Sequence, residues 1–427
     1  MNTDNMIVFI CVNLRLSAVS HKTTRLTSRN STAIVATMNK KGSTRFDQIR
    51  LDVENNDVAA ALDKLVVTLK AERKYHQLFE ALKIQLRHRL NLPLVNSAPT
   101  EKLDSENQAE FESGLLDACR TVGLLLVADQ KLREAWVYLQ PLDDRKLFRT
   151  LIEKYQINDD NADEVIDIAL MQLAAPTVGY QLVLERYGTC NAITSFESSA
   201  HGFDAATRAE LAGLLVDHLY GELTDSLKNC LTENEIATDG EFIDLVTAHE
   251  ELLASKGPLV DATHLSSTLR IGRDTTVRDS HLKLCEMAQY GCLLDEPYRF
   301  PGEAPFENTF RDHLIFYRAL TAEDPNSETV TEAIQFFDKR SLAAAGDPFN
   351  PIPDEVFVDL LYRLGRNSQA IEVSLERLAK RTERAGIAPP IHQMATKSEH
   401  FRMLQDYYLK ENDLLGFTVS VLTDSSG

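Results

Sequence analysis

The chain has 427 residues, 44% of them hydrophobic and 26% charged, with a formal net charge of −19. These are globular proportions, and 18 Gly with 14 Pro is low for a chain of strands and turns, so the composition points to an all-α fold. Six of the 45 basic side chains but only one of the 64 acids lie in residues 1–41. The remainder therefore carries −24, a surface that repels phosphate backbones and argues against nucleic acid as a partner.

No run reaches the ~18 consecutive apolar residues of a membrane helix, so no membrane partner is expected. The cysteines, Cys11, Cys119, Cys190, Cys230, Cys285 and Cys292, show no CxxC pair and no framework spacing. Such usage predicts a reducing, cytoplasmic setting.

In chain order, the first 37 residues are dense in Ser and Thr. Their apolar run, Met6 to Val12, precedes the positive charges, the reverse of a signal peptide, and Met38 reads as an ordinary start. Residues 1–41 are predicted to be a disordered or extraneous tail. Apolar spacing near 3.6 then predicts helices over Arg45–Glu54, Val58–Lys70 and Arg73–Leu90, ended by Pro93. A polar linker at 94–108 precedes a helical block from Ala109 to Leu173, broken at Gln140–Pro141 and at Gln156–Asn158.

After Pro176, helices are predicted at 178–187, 190–199, 205–220, 222–232 and 240–254, until Lys256, Gly257 and Pro258 stop the period. Residues 255–280 carry the least convincing helical face and are predicted to link a domain over 42–254 to a second over 281–427. In the latter, helices are expected at His281–Cys292, Asn308–Thr321 and Ser327–Ala344, with an aromatic loop from Tyr298 to Phe306 that suits a plug against neighbouring helices. Beyond Pro389 and Pro390, a last pair at about 397–410 and 413–422 would cover the end of the stack.

The most informative stretch is Asp354–Lys380. Phe357, Leu360, Leu361 and Leu364 fall on one face of a first helix, and Ala370, Ile371, Leu375 and Leu378 on one face of a second. Gly365 between them suits a left-handed bend, and Asn367 and Ser368 suit caps of the second helix. Gly365 with Ala370 five positions later resembles the tetratricopeptide helical hairpin, in which the small residue makes the turn and the alanine sits where two helices cross. Asn56 with Ala61 repeats the spacing. Ala128–Leu139 is one residue longer, and Tyr187–Phe196 one shorter. The resemblance implies stacked antiparallel hairpins, an α-solenoid or tetratricopeptide-like superhelix, possible in two lobes.

Three constellations are candidates for chemistry. Asp159, Asp160 and Asp163 form a DDxxD sequence similar to the magnesium-diphosphate motif of all-α isoprenoid synthases, although an acidic helix start is the simpler account of them. His281, Cys285 and Cys292 share a helix face and would suit a borderline metal given a fourth ligand, while burial accounts for the cysteines as well. Arg270, Arg273 and Arg278, with His281, form a basic island in an acidic chain that fits carboxylate or phosphate, or else pairs with the chain's own acids.

Nucleophile elbows, phosphate loops and dinucleotide fingerprints are absent from the sequence. The expected function is a scaffold binding another protein or an acidic peptide on a concave helical surface, an architecture that favours binding over catalysis, with no cofactor expected. The alternative is an all-α magnesium enzyme acting on a diphosphate through Asp159, Asp160 and Asp163.

Overall fold

The computed structural model describes residues 45–424 apart from 56, 95–104, 345, 346, 348, 382 and 399. The tail expected over 1–41 and the bend residue Asn56 lie outside the described residues. Among the described residues there are twenty α-helices and no β-strand, and the helices pack chiefly on their chain neighbours, so the fold is all-α. No helix among them is long and apolar enough to cross a membrane.

Contacts divide the chain into two units, Met1–Leu182 and Val183–Gly427. The first holds α1 (45–54), α2 (Val58–Ala71), α3 (Tyr75–Arg89), α4 (Ser105–Ala128), α5 (Leu132–Leu139), α6 (Arg145–Glu153), α7 (Ala162–Ile166) and the start of α8 (Pro176–Ser199). Its core is built on Phe79, Val122, Leu126, Ala135 and Tyr138. Gly123 is needed where α4 meets α5, because a Cβ there would run into the Leu139 side chain.

The second unit holds the rest of α8, then α9 (Ala205–Glu233), α10 (Phe242–Ala248), α11 (Glu250–Lys256), α12 (Ala262–Ile271), α13 (Arg278–Leu293) and α14 (Thr309–Thr321). It continues through α15 (Glu328–Ala343), α16 (Ile352–Arg363), α17 (Asn367–Glu376), α18 (Ile391–Ser398), α19 (Phe401–Lys410) and α20 (Leu414–Asp424). One core runs from Val216 of α9 to Leu404 of α19. Helix α16 is its centre, with every residue from Pro353 to Leu361 buried.

Four turns that lead directly into the next helix share one construction, which also closes the ends of α3 and α9 at Asn91 and Glu235. A residue with positive φ ends the first helix: Arg73 (54°), Gln130 (58°), Gly365 (74°) or Asn412 (57°). The next residue returns its N–H to the carbonyl five positions back, Lys74 to Leu69 at 3.0 Å, Lys131 to Leu126 at 3.0 Å, Arg366 to Leu361 at 2.8 Å and Asp413 to Tyr408 at 2.8 Å. This closure satisfies carbonyls that a helix end would leave unpaired. Asp57 makes the same bond to Asp52 at 2.9 Å. In α5 the bend residue is Gln130, and Ala135 then falls five positions later, as Ala370 does after Gly365. The apparent extra residue in that segment vanishes once the bend is placed.

The structure differs from sequence expectation in several places. The stretch 255–280, expected as a linker, carries α12, with the Asp261 carboxylate accepting the Thr263 N–H at 2.7 Å and with Leu265 and Leu269 fully buried. Thr263, Ser266 and Ser267 had thinned the apolar face below recognition. Helices expected at 205–220 and 222–232 are one, α9, because the buried stripe Leu219, Leu223 and Leu227 continues past Gly221. The segment 240–254 is two helices, parted at His249 with φ −128°.

Gly188 interrupts α8 with φ 74° and ψ −178°, which separates the two helices expected there but is not the bend of the four hairpin turns. Asn367 and Ser368 do not cap α17. The turn is so short that Arg366 occupies the cap position, without a side-chain bond, and Ser368 instead meets His400 at 2.7 Å.

Candidate anion-binding cleft

Helix α12 ends in a single 3₁₀ turn, Gly272–Asp274, and two members of the basic island, Arg270 and Arg273, line a cleft of the second unit there. The cleft encloses ≈ 460 Å³. Arg270 and Arg273 line it, as do two arginines that sequence spacing did not single out, Arg208 of α9 and Arg363 of α16. Glu197, Asp274 and Asp359 supply the opposing carboxylates, and Ile271, Phe316, Val356 and Ile387 supply apolar wall.

Three of the four arginines are answered. Arg270 pairs with Glu197. Arg363 pairs with Asp359 at 2.8 Å and also donates to the carbonyls of Thr275 at 2.8 Å and Arg273 at 2.6 Å, which fixes the 3₁₀ turn from behind. Arg208 lies 3.8 Å from Asp274, an ion pair too long for a hydrogen bond, and its buried Nε has no hydrogen-bond partner.

Arg273 is different. Among the described residues no carboxylate lies within ion-pair distance of it. Its Nε donates to the Arg270 carbonyl at 3.1 Å, and its guanidinium lies over the Phe306 ring, 4.7 Å from the centroid. Phe306 in turn stacks on His313 at 4.1 Å and 13°, His313 on Tyr317 at 6.0 Å, and Tyr317 on His281 at 6.1 Å. The Tyr317 hydroxyl donates to the Leu269 carbonyl at 2.6 Å and anchors the column to α12. Phe306 is thus the buried end of the aromatic loop, whereas Tyr298 and Phe300 remain exposed.

Burial sets the electrostatics. It works against the charge of Arg273, although guanidinium stays protonated in proteins. Burial raises Asp274 against the pull of Arg208 and Arg273, and raises Asp359 against the pull of Arg363. It depresses His313 to about 3, with the Arg273 charge adding to the effect. The ring donates Nδ1–H to the Thr309 carbonyl at 2.7 Å, so it is the neutral tautomer that packs here. With four cations against three carboxylates, the lining is complementary to one more negative group.

The remaining sequence candidates lie elsewhere. Arg278 is exposed and donates to the Thr321 carbonyl at 3.0 Å; His281 is buried, with Nε2 on the Thr275 carbonyl at 3.0 Å, its pKa lowered by burial. Cys285 and Cys292 are half-buried thiols pushed up by burial. Asp159 and Asp160 stand in the turn before the five-residue helix α7, and Asp163 in its first turn, where the Asn158 carbonyl oxygen of the side chain accepts the N–H of Asp160 at 3.0 Å and of Asn161 at 3.1 Å. Among the described residues no three His, Cys, Asp or Glu side chains are grouped to hold a metal.

No protein-family profile, no curated protein and no solved structure matches this chain.

Proposed function

We propose that the chain is a helical-hairpin repeat protein of tetratricopeptide style that binds another protein, taking an acidic segment of it into the Arg273 cleft. The observation that carries the reading is Arg273 itself: a partly buried guanidinium, held over the Phe306 ring, with no carboxylate in reach among the described residues. A planar fork in such a setting favours bidentate carboxylate contacts. The recurring turn and its small or apolar residue five positions on support the repeat reading, since hairpins that contact mainly their neighbours leave extended faces for partners. Free Cys119, Cys190, Cys230, Cys285 and Cys292 fit a reducing, cytoplasmic setting.

Affinity capture from cell extract with the wild-type chain and with Arg273→Gln, followed by mass spectrometry, tests this. The expected result is a partner with an acidic segment that wild type retains and the variant loses while melting at the same temperature. Identical captured sets would overturn it.

A further inference from the structure

A second pocket of the same unit lies along the loop 384–391. Its construction begins with Glu355, a carboxylate buried in α16. It accepts the N–H of Ala385 at 2.8 Å, of Ile387 at 2.7 Å and of Ala388 at 3.2 Å, and so pins the loop around Gly386, which has φ 76°. The loop then covers ≈ 460 Å³ of space against α17 and the α19–α20 turn. Leu375, Leu378, Pro389 and Ile391 make the walls apolar, and Tyr407 and Tyr408 present rings.

The charge of this pocket is opposite to that of the arginine cleft. Glu411 and Asp413 line it, and neither has a cation within ion-pair distance among the described residues. Glu355 is occupied by its three N–H donors, and among the described residues the Asp413 carboxylate accepts only the Gly416 N–H, at 2.9 Å. Arg384, exposed at the edge, is the single cation in the lining and makes no ion pair among the described residues. Burial, then the Glu411 and Asp413 charges, raise the Tyr407 pKa; burial, then Asp413, raise that of Tyr408. The two rings therefore sit in a negative field.

An independent feature points to a ligand. Ser374 of α17 is 5% exposed, lines the pocket, and its Oγ has no hydrogen-bond partner. A buried hydroxyl without a partner carries a free-energy cost that a ligand donor would remove.

We propose that this pocket binds a primary alkylammonium group, its alkyl stem along Leu375, Leu378 and Pro389 and its charge answered by Glu411, Asp413 and the tyrosine rings. The ammonium has three donors and no acceptor, which matches two carboxylates and a serine oxygen. Aromatic faces attract such a cation further. The same chemistry comes from a free amine or from a lysine side chain, and the two sources separate in one experiment.

Isothermal titration of the full chain would use n-butylammonium chloride, n-butanol, a lysine-containing hexapeptide and that peptide acetylated on lysine. Saturable binding of butylammonium without binding of butanol is expected. A lysine peptide that also binds, and loses binding on acetylation, identifies a protein source; butylammonium binding alone identifies a free amine. Glu411→Gln, at an exposed position, and Tyr407→Leu should each weaken binding by about threefold to tenfold. No saturable heat from either ammonium probe, equal binding of butanol, or an affinity unchanged in both variants would overturn the proposal. None of these outcomes depends on the arginine cleft.

Discussion

Arg366 donates its backbone N–H to the Leu361 carbonyl at 2.8 Å, and the closure obliges Gly365 between them to take φ 74°. A Cβ at Gly365 would meet nothing within 4 Å, so the position is constrained by backbone alone. Gly365→Val should cost on the order of 1–3 kcal/mol through backbone strain, while Gly365→Asn should cost much less. Ala370, fully buried five residues on, should lose about 1–3 kcal/mol as Leu by overpacking. Denaturant melts of the three variants check the ranking; a neutral Gly365→Val would contradict it.

Asp354 and Arg381 form a buried pair at 2.6 Å, with side chains 1% and 7% exposed, and Ser341 donates to the other carboxylate oxygen. Removing the cation strands the charge. Arg381→Met should destabilise the second unit by about 3–5 kcal/mol, and Asp354→Asn together with Arg381→Met should recover part of that loss. Chemical denaturation of the single and double variants measures both.

Stability should fall as pH drops below 6.5, because His313 stays neutral in the fold down to about 3 while the unfolded chain takes up its proton near the ordinary 6.5. For this group alone the loss between pH 7 and pH 5 is about 2 kcal/mol. Asp274, Asp312 and Asp359, raised by burial, titrate with the opposite sign and offset the loss at lower pH. His313→Asn, whose amide can still donate to Thr309, should give a flatter stability curve from pH 7 to 5. Parallel melts across that range provide the comparison, and equal slopes would count against the assignment.

Magnesium titrated into the protein should give no saturable heat and no thermal shift, since Asp159 and Asp160 stand in a turn whose N–H groups bond the Asn158 side chain. Asp160→Ala should change stability by no more than about 0.5 kcal/mol, as for other exposed substitutions. A saturable magnesium signal abolished by Asp160→Ala would instead support the diphosphate enzyme.

Much of the fold was legible where local chemistry left one choice. Gly365 could be read as a bend because few other residues take positive φ freely, and the apolar spacing around it marked both helices. The equivalent bends at Arg73 and Gln130 were hidden, since Arg and Gln are good helix formers and only the closing N–H bond and packing impose the turn. In the cleft, Arg270 and Arg273 were visible as a cluster on one stretch. Arg208 and Arg363 were not, because α9 and α16 bring them in from distant parts of the sequence. A signal did exist in α16: Asp354, Glu355 and Asp359 interrupt an apolar run, and acids in such a place call for buried partners.

The central claim rests on Arg273. A labelled decapeptide rich in Asp and Glu, titrated into the full chain and followed by fluorescence anisotropy, tests it most directly. The account predicts saturable binding that weakens as salt is raised, and a Kd about tenfold or more higher for Arg273→Gln, the scale of a charge-assisted hydrogen bond. A Kd unchanged in a folded Arg273→Gln variant would contradict it.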